Sequence, residues 1–219
     1  MQALISFCKR YPYACLLAVQ LISLFFYGFL DDSRLSQIAI NCIGLIVPII
    51  AAWVIYRTPA ANWVAFILTG LAIVLTFFAE FGSYLNLLPW AHTFESLLYF
   101  YAAISLVMHM FSDDIVTLDE LYAAAATFTL LGWGFALAYS VCQLIYPQSV
   151  LAAINPDAPR SFIELLFMSF SIQSSTGVGD VIPISGPARA IGALQIFTGV
   201  MYIAIVVSRL VSLAASSKK

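Results

Sequence analysis

Charge is what this chain has least of. Lys, Arg, Asp and Glu make up 9% of its 219 residues, where a soluble domain carries roughly 25%, so most of its surface cannot face water. The nine basic residues are scattered and the net charge is −2, which leaves no electrostatic footprint for nucleic acid. Cysteine is sparse as well. Cys8, Cys15, Cys42 and Cys142 lie in or beside apolar runs without C-x-x-C spacing or a partner histidine. They read as small buried hydrophobes, which excludes a disulfide scaffold and a zinc module. What is abundant is apolar: 63% of the residues are hydrophobic and 15% aromatic. This is the composition of an integral membrane protein.

A helix needs about 20 apolar residues to cross the hydrocarbon core. Six runs bounded by charge or proline approach that length: Tyr13 to Leu30, Leu35 to Tyr56, Ala61 to Ala79, Phe94 to Phe111, Leu121 to Tyr146 and Ala188 to Leu213. Lipid offers the backbone no hydrogen-bond partners, so each must be helical, and no alternating ten-residue segments argue for a barrel. The fold class expected is all-α. The first run lacks a small-residue cleavage site before Asp31, so it reads as a retained span rather than a signal peptide. With a cytoplasmic N-terminus, Lys9, Arg10, Arg57, Arg209, Lys218 and Lys219 fall inside, and Arg34, Arg160 and Arg189 outside. That bias places both termini in the cytoplasm.

The connection between the last two runs departs from the pattern. Pro147 to Arg160 holds three prolines and reads as an exposed loop. Ser161-Phe162-Ile163-Glu164 then fits a capping box, as does Thr117-Leu118-Asp119-Glu120 before the fifth run. The apolar stretch after Ser161 stops near Gly177, too short to span. It predicts a half-length helix that halts at membrane depth and re-enters, which is tolerated only where protein or a water-filled cavity surrounds the backbone.

That segment ends Ser174-Ser175-Thr176-Gly177-Val178-Gly179-Asp180. Two glycines one residue apart allow alternate positions to take left-handed torsions that a Cβ resists. A chain that alternates handedness turns successive carbonyls to the same side. Several such chains around an axis stack rings of oxygens that can replace a cation's water shell, and the C-terminal end of the short helix adds its negative dipole. Asp180 forms a negative outer mouth. One chain supplies one loop, so a closed ring requires identical subunits.

Residues from about Thr117 to Leu213 resemble the pore domain of potassium channels, with outer helix, turret, pore helix, filter and inner helix in order. Ser175 to Asp180 stand where that family reads T-V-G-Y-G-D or T-V-G-F-G-D. Pro183, Arg189 and Gly199 keep the register, the last at the family's proposed hinge. The resemblance covers a little under half the chain. It implies a homotetrameric pore in a lipid bilayer that passes monovalent cations. Ser175, Thr176, Gly177, Val178 and Gly179 would be the ion-binding filter, Asp180 the outer mouth, and the permeant potassium ion the one expected ligand. No enzyme activity, resident cofactor or nucleic-acid partner is implied.

On this reading residues 1–116 form a four-helix membrane domain, and residues 117–219 a pore domain with pore helix 161–174, filter 175–180 and inner helix 187–213. Small size without appended domains points to a bacterial inner membrane. Three departures bear on selectivity. Ser175 keeps a hydroxyl in place of threonine, Thr176 adds a polar group that needs a partner, and Val178 removes an aromatic brace. Gln173 is placed to hydrogen-bond the altered filter. Strict potassium selectivity and non-selective monovalent cation conduction both stay open.

On the inner helix, Gly192, Ile196, Gly199, Ile203 and Val207 share a stripe at helical spacing. The stripe reads either as a pore lining or as a seam for close helix packing. The fourth run carries His109 but no arginine. A voltage sensor needs several, because one charge moved through about 100 mV yields only ~2.3 kcal/mol. No voltage sensing is expected, and His109 reads as an interfacial histidine. A reading of another class starts from Gly177-Val178-Gly179-Asp180, the G-x-G-D mark of intramembrane aspartyl proteases. That chemistry needs a second carboxylate facing Asp180, and Asp31, Asp32, Asp113, Asp114, Asp119 and Asp157 all fall in loops or at helix ends. A non-catalytic subunit with a closed pore is the remaining alternative.

Overall fold

A computed structural model describes residues 10–29, 46–56, 62–81, 84–112 and 117–216. The helices are α1 (Pro12–Tyr27), α2 (Ile46–Ile55), α3 (Asn62–Phe81), α4 (Leu88–Met110), α5 (Leu118–Ile145), α6 (Phe162–Gln173), α7 (Gly186–Tyr202) and α8 (Ser208–Ser216). Among the described residues, three helical stretches are long and apolar enough to cross a membrane: Asn62–Ala79, Leu118–Ile145 and Gly186–Ser212. The six expected runs therefore fare unequally. α1 has 16 residues, and only Ile46–Ile55 of the second run is helical within the described residues. α4 starts earlier than expected, at Leu88, and has 23 residues. His92, Glu95, Ser96, Ser105 and His109 dilute its apolar character.

α5 is the spine, packing against α1, α4, α6 and α7. Its first turn is closed by the expected capping box: Glu120 N donates to Thr117 Oγ1 at 3.2 Å, and Thr117 N to Glu120 Oε2 at 3.1 Å. Lipid gives buried polar groups no alternative partner, so helix seams in membranes carry cross-helix hydrogen bonds and small residues. Ser96 Oγ of α4 donates to the Gly134 carbonyl of α5 at 2.8 Å, and His92 Nδ1 lies 3.0 Å from Ser140 Oγ. Thr129 Oγ1 of α5 reaches Gln20 Oε1 of α1 at 3.0 Å. Fully buried Trp133 meets the rings of Tyr27, Tyr99 and Phe162. One α5 residue thereby joins α1, α4 and the start of α6.

Residues 147–160 are more than an exposed loop. Strand β1 (Val150–Ala152) pairs antiparallel with β2 (Val181–Pro183), Leu151 opposite Ile182, and Val150 and Ala152 are buried. Arg160, which the sequence reading counts as an outer-side charge, is also buried. Its guanidinium donates to the carbonyls of Ile154, Asn155 and Ala158 and pairs with Glu164 at 3.3 Å. Gln143 of α5 clasps the Arg160 backbone from both sides, through N at 2.7 Å and O at 3.0 Å. An arginine held at low exposure needs all of these acceptors, and in binding them it folds the loop over the N-terminus of α6.

Candidate conduction filter and its supports

α6 begins at Ser161, where the second capping box is formed: Ser161 Oγ accepts from Glu164 N and Ser161 N donates to Glu164 Oε2. The helix runs 12 residues and stops with Ser174 as its C-cap. Its seam with α5 is close. A Cβ on Gly132 would stand 2.7 Å from the Phe170 ring, and Ser169 Oγ donates to the Gly132 carbonyl at 2.7 Å.

Beyond Ser174 the backbone alternates. φ is +57° at Ser175, +65° at Gly177 and +132° at Gly179, with Thr176 and Val178 between them outside the left-handed region. The glycines favour such torsions; Ser175 takes one despite its Cβ, at a cost of roughly 1–2 kcal/mol. The amides are turned toward α6: Thr176 N donates to the Ser171 carbonyl at 3.1 Å and Gly177 N to the same oxygen at 3.4 Å. Among the described residues no hydrogen bond ends on the carbonyls of residues 175–179. The loop from Ser174 to Asp180 is exposed on the single chain. Among the described residues the segment thus leaves its backbone oxygens free of internal partners while two of its amides are tied to α6.

The Thr176 hydroxyl has the partner that its polarity requires, lying 3.1 Å from Ser174 Oγ and 3.3 Å from the Ser171 carbonyl. Gln173 does not reach the filter, contrary to expectation. Its side chain is fully buried and its Nε2 donates to the Phe128 carbonyl of α5 at 2.7 Å. As the last residue of α6 it points back between helices instead of forward along the loop. Val178 is 61% exposed, and the Phe167 ring of α6 sits 3.2 Å from where a Cβ of Gly179 would stand.

The inner-helix stripe divides. Gly192 and Gly199 are buried within the chain, at Tyr139 and Pro183 and at Gln173 respectively, while Ile196, Ile203 and Val207 are exposed. For the two glycines this is the packing alternative. The buried line is completed by Gln195, Tyr202, Val206 and Leu210, none of which the stripe included. Gly199 is helical and the irregularity lies just beyond it: Ile203–Val207 form a π-helical turn between α7 and α8. Two bonds flank that turn. Tyr202 OH donates to the Ala124 carbonyl of α5, and Arg209 donates to the Met110 carbonyl at the end of α4, its guanidinium 4.5 Å from the Phe111 ring. His109 packs its ring 5.6 Å from Tyr13. Asp180 is exposed, and among the described residues nothing supports the protease reading; Asp31, Asp32, Asp113 and Asp114 lie outside them.

The supports that sequence reasoning missed are Ser169, Ser171, Gln195, Arg160 and Arg209. The available signal for Ser169, Gln195 and Arg209 was polarity inside apolar stretches, where such residues are rare; Ser171 acts through its backbone carbonyl and Arg160 lies in a polar loop, so neither carried that signal. Residues 135–216, from the middle of α5 to the end of α8, match the family model described as Ion channel, and the likeness to the potassium-channel pore-domain superfamily stands on that match. Comparison with curated proteins and with solved structures finds no match to the chain. The protein is an integral membrane protein whose residues 135–216 are similar to an ion-channel family.

Proposed function

We propose that four copies of this chain assemble a cation channel that conducts potassium. The carbonyls of Ser175, Thr176, Gly177 and Val178, with the Ser175 hydroxyl below them and Gly179 at the top, replace the hydration shell of the permeant ion. Asp180 concentrates cations at the outer mouth. Ile196, Ile203 and Val207 line the path beneath the filter, with both chain ends in the cytoplasm of a bacterial inner membrane. The observation that carries this reading is the left-handed alternation at Ser175, Gly177 and Gly179, combined with amides anchored on Ser171. It leaves the oxygens free to face an axis, the arrangement a carbonyl filter needs.

Val178 favours one variation, non-selective conduction of monovalent cations. Valine is a smaller brace than the aromatic residue at this position of the family that the segment resembles, and a less braced filter discriminates less sharply by ion size. Purified protein in planar bilayers under opposed potassium and sodium gradients separates the two. A reversal potential that follows potassium supports the primary reading, and one near zero under equal opposed gradients supports the variation. Absence of any cation current from the reconstituted protein ends both.

A further inference from the structure

Buried polar groups between membrane helices must satisfy one another. Gln173 and Gln195 are both fully buried, as is Ser169, and they form one connected chain of hydrogen bonds. Gln195 Nε2 of α7 lies 2.6 Å from Ser169 Oγ, 2.9 Å from the Ser169 carbonyl and 3.4 Å from Gln173 Oε1. Ser169 Oγ passes the connection to the Gly132 carbonyl, and Gln173 Nε2 to the Phe128 carbonyl, both on α5. The last two turns of α6 are thereby fastened on one side to the outer helix and on the other to the inner helix. Those turns carry the Ser171 carbonyl, on which the amides of Thr176 and Gly177 and the hydroxyl of Thr176 all converge.

We propose that Gln173 and Gln195 are specificity-determining positioning residues: the amide pair holds the end of α6 in place and so fixes the spacing of the filter oxygens. The inference rests on the channel reading. One observation ties the amide pair to the loop through the backbone of α6. Gly199 meets the Gln173 carbonyl without room for a Cβ, so α7 bears directly on the residue whose amide completes the chain. Neither glutamine touches an ion path; both act through Ser169 and Ser171.

The test compares wild type with Gln195→Met and Gln173→Met, which match the side chain in size but cannot donate. Gln195→Asn keeps the amide but shortens its reach, and serves where a Met variant fails to assemble. Each protein is reconstituted and its potassium-to-sodium permeability ratio read from reversal potentials, alongside its thermal unfolding in detergent. The expected result is a ratio lower by about fivefold or more in the variants, with current retained. Adding the second Met to the first is expected to lower the ratio little further, because the two glutamines act as one chain. Variants that keep the wild-type ratio while unfolding at lower temperature overturn this inference and leave the channel reading intact. A wild type that conducts both cations equally leaves the pair nothing to determine and overturns it as well. A wild type without cation current removes the channel reading and this inference together.

Discussion

Gly199 of α7 lies so close to Gln173 of α6 that a Cβ added to it would stand 2.1 Å from the Gln173 carbonyl oxygen. The obstacle is backbone at the end of α6, so it cannot swing aside as a flexible side chain would. Glycine at this position is required by contact.

Gly199→Ala should therefore destabilise the folded protein by about 1–3 kcal/mol through overpacking. Gly70→Ala is the control, because nothing lies within 4 Å of a Cβ there and alanine gains about 1 kcal/mol of helix propensity over glycine. Thermal unfolding of the two variants in detergent should shift in opposite directions. Equal shifts would show that the α6–α7 contact is not close in solution.

Gly177 presents the converse case, with open space around a Cβ but φ at +65°. Gly177→Ala should cost roughly 1–2 kcal/mol of stability per chain through the torsion alone and cut cation flux from loaded vesicles by about tenfold or more, because the strain falls on each of the converging loops. Retained flux would count against carbonyl conduction.

Asp180 is exposed beside the filter. Asp180→Asn should keep the channel open but lower its conductance about twofold at low ionic strength, with the difference fading as salt screens the charge. Conductance measured across a salt series checks this. A loss that persists at high salt would mean that the carboxylate acts structurally.

Arg160 holds the β1 loop through three carbonyls and Glu164. Arg160→Met should cost about 2–4 kcal/mol, with little of that coming from Glu164, whose side chain is 38% exposed. Arg160→Lys should recover only part of the loss, since an ammonium cannot reproduce the planar fork. Faster amide exchange confined to residues 150–160 would mark the effect.

The features legible in the sequence are those whose cause is local. The capping boxes at Thr117 and Ser161 depend on residues three apart, and the left-handed torsions at Gly177 and Gly179 on residue type alone. Ser175 joins the alternation without a glycine, held by neighbours rather than by its own preference. Other features depend on pairs distant along the chain: Gln195 with Ser169, Gln143 with Arg160, and Leu151 with Ile182. A single sequence has no period that announces them. The sequence places Gln173 within reach of the filter because nearness along the chain stands in for direction, whereas the side chain at the end of α6 turns back to the Phe128 carbonyl. The π-helical turn at Ile203–Val207 is written in five apolar residues that differ in nothing from an ordinary helical run.

That turn also changes what lies beyond it. Each α-helical residue advances the chain by about 100° around its axis, and a bulge of one residue sets the count back by roughly that amount. Val211 and the rest of α8 consequently sit out of phase with Gly192 and Gly199. Straightening the bulge would roll the lower shaft like a key, carrying Arg209 off the Met110 carbonyl while the segment above Tyr202 stayed still.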